Sequence, residues 1–124
     1  MRTLFATSAS LLALSILLGA FGAHGLEKLI SPMALKTFHT GVHYHQLHAL
    51  GLAILALYYR DQNLNIQFPI SAIFLVVGIL LFSGNCYLYA ITGIKFFALI
   101  VPLGGTSFIV GWLWWLKDIL KQRT

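Results

Sequence analysis

Four stretches of the chain are long and nearly free of charge: residues 3–23, 41–59, 68–91 and 96–116. Each is about 20 residues long, enough for an α-helix rising 1.5 Å per residue to cross a hydrocarbon layer about 30 Å thick. The polar positions fall between them. Residues 24–39 carry Glu27, Lys28 and Lys36, residues 60–67 carry Arg60 and Asp61, Thr92-Gly93 makes a tight turn, and Lys117 opens a basic tail. The pattern predicts an all-α integral membrane four-helix bundle in a single transmembrane domain, residues 1–124. Ser31-Pro32 is a helix-start signal, with Ser as N-cap and Pro at the first helical position. It places a helix from residue 32 that lies partly at the interface and bends at Gly41 into the second span. The first stretch follows Arg2, and Ala20-Phe21-Gly22 has the small residues of a signal-peptide cleavage site. Its length and the glycines at 19, 22 and 25 favour an uncleaved membrane helix.

Composition agrees. The 124 residues are 59% hydrophobic and 9% charged, against about 25% charged in soluble domains. Four spans use most of the length, which leaves no room for a separate soluble catalytic domain. The net charge of +5 does not point to nucleic acid, because the cations sit at the ends of apolar stretches and form no basic stripe with aromatic partners. There they act as topology signals and headgroup contacts. Arg2, Arg60, Lys117, Lys121 and Arg123 fall on one side, and Lys28, Lys36 and Lys95 on the other. Five against three places both termini in the cytoplasm, with Trp112, Trp114, Trp115, Tyr58 and Tyr59 anchoring that interface. Cys86 is a single cysteine in an apolar run, so it forms no intrachain disulfide and reads as a small buried residue.

Placed by depth, the unusual residues converge. His24 ends the first span, and His43, Tyr44, His45 and His48 open the second. Ser83, Asn85 and Tyr87 lie in the outer half of the third, and Pro102, Gly104 and Gly105 are early in the fourth. All belong to the outer half of the membrane, and the inner halves read as plain apolar packing. Pro102 removes a backbone donor and Gly104-Gly105 weakens the helix, so a helix break is expected there. Carbonyls freed near residue 98 would turn to Ser83, Asn85, Tyr87 or a histidine. Polar side chains at this depth face the bundle interior or water. They serve either as a hydrogen-bonded plug that fixes helix register or as a ligand, ion or proton site.

Imidazoles accept copper or zinc, so His24, His43, His45 and His48 are candidate metal ligands, and haem is a further alternative. On one helix, however, His39 and His43 share a face and His45 and His48 share another, well over 100° away. His39-xxx-His43 lacks the glutamate of a zinc-protease motif. Glu27, Asp61 and Asp118 lie at span ends or in loops. No Ser-His-Asp set, phosphate loop or carboxylate pair is available at one depth. The chain is therefore read as non-enzymatic, with no cofactor expected and with the lipid bilayer as its surroundings. The spacing of Gly19, Gly22 and Gly25 allows close helix approach, within the bundle or to a second copy or other membrane protein.

The same residues carry a resemblance. Residues 18–25 (LGAFGAHG), 40–50 (TGVHYHQLHAL), 81–87 (LFSGNCY), 102–105 (PLGG) and Gly111-Trp112 resemble the YgdD-type small membrane proteins. These are bacterial inner-membrane proteins with mitochondrial relatives, and they form a domain-of-unknown-function family. The likeness covers nearly the whole chain in ordered motifs. It implies four membrane helices, a cell inner membrane location and no settled activity. It also implies that a shared function would lean on His24, Tyr44, His48, Ser83 and Tyr87, while His39, His43 and His45 are departures. The expected function is a structural or accessory membrane protein with an outer polar cluster at His24, Tyr44, His48, Ser83, Asn85 and Tyr87. The alternative is metal or haem binding, or transport of an ion or small solute.

Overall fold

A computed structural model describes residues 1–122 except Asn63 and Asn65. Arg123, counted above among the cations, lies outside the described residues. The described residues form four long helices and no strand: α1 Arg2–His24, α2 Pro32–Asp61, α3 Ile70–Thr92 and α4 Lys95–Lys121. A short 3-10 turn, Leu26–Lys28, follows α1. The start of α2 is set as Ser31-Pro32 requires: the Ser31 hydroxyl accepts a hydrogen bond from the Ala34 N–H at 3.2 Å. Gly93 ends α3 at φ 69°, the left-handed region where a Cβ is costly.

Three helical segments, Arg2–Lys28, Ile70–Thr92 and Lys95–Lys121, are long and apolar enough to cross a membrane. The 30 residues of α2 make it the longest helix. Its histidines and Gln46 dilute the apolar content of its middle below that of the other three.

Packing follows chain order. α1 lies along α2, α2 along α3, and α3 along α4. The α2 and α4 backbones stand further apart and are bridged by large side chains. Trp112 reaches over Gly51, and His48 stacks on Phe108 with ring centroids 3.5 Å apart. One apolar core, with Leu4, Leu52, Leu55, Ala72, Leu75 and Phe108, fills the end that holds the chain termini. A smaller core of Leu26, Phe38, Val42 and Ala90 fills the other end.

Two expected irregularities are absent, and an unexpected one replaces them. The helix α2 runs straight through Gly41. That glycine is needed for contact: a Cβ there would stand 2.8 Å from the Cys86 Cβ and 3.2 Å from the Ser83 carbonyl oxygen of α3. The break expected at Pro102, Gly104 and Gly105 does not occur either, because α4 is continuous across all three. No side-chain hydrogen bond among the described residues reaches the Ala98 carbonyl. The irregularity lies opposite, in α3, where residues Ile79–Ser83 form a π-turn and the Gly84 N–H bonds the carbonyl five residues back, on Ile79. Gly104 is pressed against this turn. A Cβ on it would fall 2.2 Å from the Phe82 nitrogen, whereas one on Gly105 would meet nothing closer than 3.8 Å.

Candidate functional site

The polar residues of α2 and α3 assemble into two small groups between the apolar cores. The face of α2 carrying Gly41, His45, His48 and Leu52 is buried. In the first group, His45 Nδ1 and the Tyr87 hydroxyl of α3 share a hydrogen bond of 2.9 Å, and Phe38 lies against the Tyr87 ring. In the second, the His48 Nδ1–H donates to the Tyr44 carbonyl at 2.7 Å. A carbonyl only accepts, so in the neutral ring this bond fixes the tautomer and leaves Nε2 as the acceptor. The His48 ring is clamped by Phe108, nearly parallel at 9°, with Tyr44 and Trp112 beside it. Tyr44 in turn packs on Phe82 of the π-turn.

The other expected members behave differently. Asn85 turns back on its own helix, its Nδ2–H donating to the Leu81 carbonyl at 2.7 Å. Ser83 is fully buried, and among the described residues its hydroxyl has no hydrogen-bond partner. His45 Nε2 likewise has none among the described residues, with the Leu11 carbonyl of α1 beside the ring but outside hydrogen-bonding geometry. His24 is exposed at the end of α1 and makes no hydrogen bond to His48.

The candidate metal set is therefore not assembled. Among the described residues, no three His, Cys, Asp or Glu side chains stand where they would hold one ion. His24 sits at the helix end, and His43 is exposed, edge-on to Tyr44. His45 points to α3 and His48 to α4. His43, His45 and His48 point in different directions around α2, so these four side chains do not meet at one point.

The half of the bundle expected to be plain contains a polar link of its own. Tyr59 is 2% exposed and donates from its hydroxyl to Asp118 of α4 at 2.5 Å, with Ser71 of α3 3.4 Å away. Nearby, the Lys117 ammonium stands 3.3 Å over the Trp114 ring. Ser8 of α1 donates to the Ala49 carbonyl at 2.7 Å, and Ser107 of α4 to the Phe74 carbonyl at 2.7 Å. In the sequence Asp118 reads only as an acidic residue at a span end or in a loop. Its distance from Tyr59 in sequence hides the pairing, and the one available signal was the tyrosine at the same end of the bundle.

Grooves of 210 to 480 Å³ lie around the outside of the bundle, and none of these is lined by His45, His48, Ser83 or Tyr87.

Residues 18–105 match the family described as "Protein of unknown function (DUF423)". The chain belongs to that family. Similar proteins include the UPF0382 membrane protein YwdK of Bacillus subtilis, 46% identical over 81% of each chain. The UPF0382 inner membrane protein YgdD of Escherichia coli is 37% identical over 87% of this chain and 82% of its own. A UPF0382 membrane protein of Staphylococcus haemolyticus is 36% identical over 87% of each. No solved structure gives a significant match. Family and apolar helices together make this a multi-pass integral protein of the cell membrane, in a family with no assigned activity. The matched stretch contains Tyr44, His45, His48, Tyr87 and the π-turn, while Phe108, Trp112 and Asp118 lie beyond it.

Proposed function

We propose that this is a non-enzymatic structural or accessory membrane protein in which all four helices cross the bilayer and the His45–His48 layer fixes their register. One observation carries the reading. Both buried histidines engage a neighbouring helix, His45 by its hydrogen bond to Tyr87 of α3 and His48, whose own hydrogen bond stays within α2, by stacking its ring on Phe108 of α4. A polar group in a membrane interior that is bonded to a neighbouring helix specifies one alignment, because slippage by a turn would leave it unpaired. His48→Ala should lower stability in detergent by about 2 kcal/mol, as loss of a buried, packed ring does, with helix content retained. Unchanged thermal unfolding would reject the reading.

Both termini lie in the cytoplasm in this proposal. Support comes from the cations Arg2, Arg60, Lys117, Lys121 and Arg123 at one end, against Lys28, Lys36 and Lys95 at the other. A fluorescent protein fused after residue 124 should fold and glow, and alkaline phosphatase fused there should stay inactive. The opposite pair of results would invert the topology.

A further inference from the structure

At the end that holds the chain termini, a groove of about 330 Å³ lies between the start of α3 and the end of α4. That volume suits a small molecule. Phe68, Ile70 and Trp114 give it apolar walls, and Lys117, Asp118 and Tyr59 give it a polar lining. Lys117 and Asp118 are sequence neighbours of opposite charge, yet they do not pair. The Asp118 carboxylate is held by a neutral donor, the Tyr59 hydroxyl, at 2.5 Å. The Lys117 ammonium is held 3.3 Å over the Trp114 ring. Among the described residues neither charge takes part in an ion pair. Lys121, on the next turn of α4, lines the adjoining groove.

Two fixed charges of opposite sign therefore line one apolar groove, each held in place and each with capacity left. A carboxylate accepts at both oxygens, and an ammonium carries three donors. Tyr58, Trp114 and Trp115 gather at this end of the bundle, the aromatic belt that marks headgroup level. A molecule that brings an ammonium and an anion on one short linker, with an apolar tail, matches this lining in sign and in order.

We propose that this groove binds the headgroup of a phospholipid that carries a primary ammonium. The lipid ammonium sits on Asp118 and its phosphate on Lys117, and an acyl chain runs along Ile70 and Ile73, both exposed on α3. Three rivals fit less well. A choline headgroup has no N–H for the carboxylate, and the aromatic face that would suit it, Trp114, is already covered by Lys117. An anionic headgroup satisfies Lys117 but sets its charge beside Asp118. A divalent cation needs several oxygen ligands, and no three His, Cys, Asp or Glu side chains among the described residues gather round one point. The site requires that α3 and α4 cross the bilayer, as their length and apolarity allow. It stands whether or not His48→Ala lowers stability.

Native mass spectrometry of the full chain tests this, with equimolar phosphatidylethanolamine, phosphatidylcholine and phosphatidylglycerol of matched acyl chains. The ethanolamine lipid should dominate the retained adducts, and stepwise N-methylation of its headgroup should weaken retention. Asp118→Asn, whose amide oxygen still accepts from Tyr59, should lower retention about tenfold, as loss of one hydrogen bond to a charged group does. Lys117→Gln should act in the same direction. Glu27→Gln removes a negative charge at the opposite end of the bundle and should leave the adduct unchanged. Equal retention of the three lipids, a preference for the glycerol headgroup, or full retention by Asp118→Asn overturns the proposal. Should Asp118→Asn fail to fold, Lys117→Gln decides, because Lys117 is exposed, and unaltered retention there overturns it. Displacement of the lipid by an equal concentration of soluble phosphoethanolamine would also overturn it, since the acyl chain would then contribute nothing.

Discussion

Gly104 and Gly105 are chemically identical neighbours with opposite demands. A methyl on Gly104 would fall 2.2 Å from the Phe82 backbone nitrogen, while one on Gly105 would reach only ordinary contact at 3.8 Å. Backbone cannot yield as a side-chain tip can, so Gly104→Ala must push α4 off α3. We expect it to cost 3 kcal/mol or more, on the order of severe overpacking. Gly105→Ala should be neutral or slightly stabilising, because alanine favours helix. Thermal unfolding of the two variants in the same detergent checks the pair, and equal losses would refute the contact. In sequence the two glycines look alike, which is why both read as helix weakening. What separates them is which face of α4 meets the π-turn, and no local pattern shows that. Gly41 was misread for the same reason, as a bend where the structure has a contact with Cys86 and Tyr87.

The helices themselves were largely legible. The number of long helices follows from charge-free length, and the start of α2 follows from Ser31-Pro32, because these are local properties. The π-turn was not, because Ile79–Ser83 reads as ordinary apolar helix. Such a turn amounts to one extra residue in an α-helix, and it rotates everything after it by about 100°. Because the turn already absorbs that residue, inserting one alanine after Gly84, in the regular part of the helix, should turn Tyr87 away from His45 by about 100°. The expected outcome is retained helical circular dichroism with a clear loss of thermal stability. An insertion variant as stable as the parent would show that the facing of Tyr87 is unimportant. At the other end, the Tyr59–Asp118 link ties α2 to α4, with Ser71 of α3 close by. Tyr59→Phe should cost about 1.5–3 kcal/mol, the range for a hydrogen bond to a charged group. Asp118→Asn should cost less, since an amide oxygen still accepts. A larger loss for Asp118→Asn would point to a role for the charge beyond this bond.

At the scale of the molecule, burial is uneven. Only 17% of the most apolar window of α1 is covered, against 44% for α3. Among the described residues α1 rests chiefly on α2, held by small-residue contacts at Gly19 and Gly22 and by the Ser8 bond to the Ala49 carbonyl. Its amides should therefore exchange with deuterium in detergent before those of α3, and protection of α1 equal to that of α3 would contradict this packing. The candidate site was half legible at this scale. Depth gathered Tyr44, His48, Ser83 and Tyr87 into one layer, and the structure adds His45 as the partner of Tyr87. Depth could not show that His24 and His43 face away, because that depends on azimuth. The neighbour-to-neighbour packing also bears on biogenesis. A newly made α2 meets its first partner, α1, already in the membrane, and α4 in turn finds α3. The chain can leave the ribosome as two successive hairpins, with no helix waiting for one not yet synthesised. Only the side-chain bridges from α2 to α4, His48 to Phe108 and Tyr59 to Asp118, must wait for the last span to arrive.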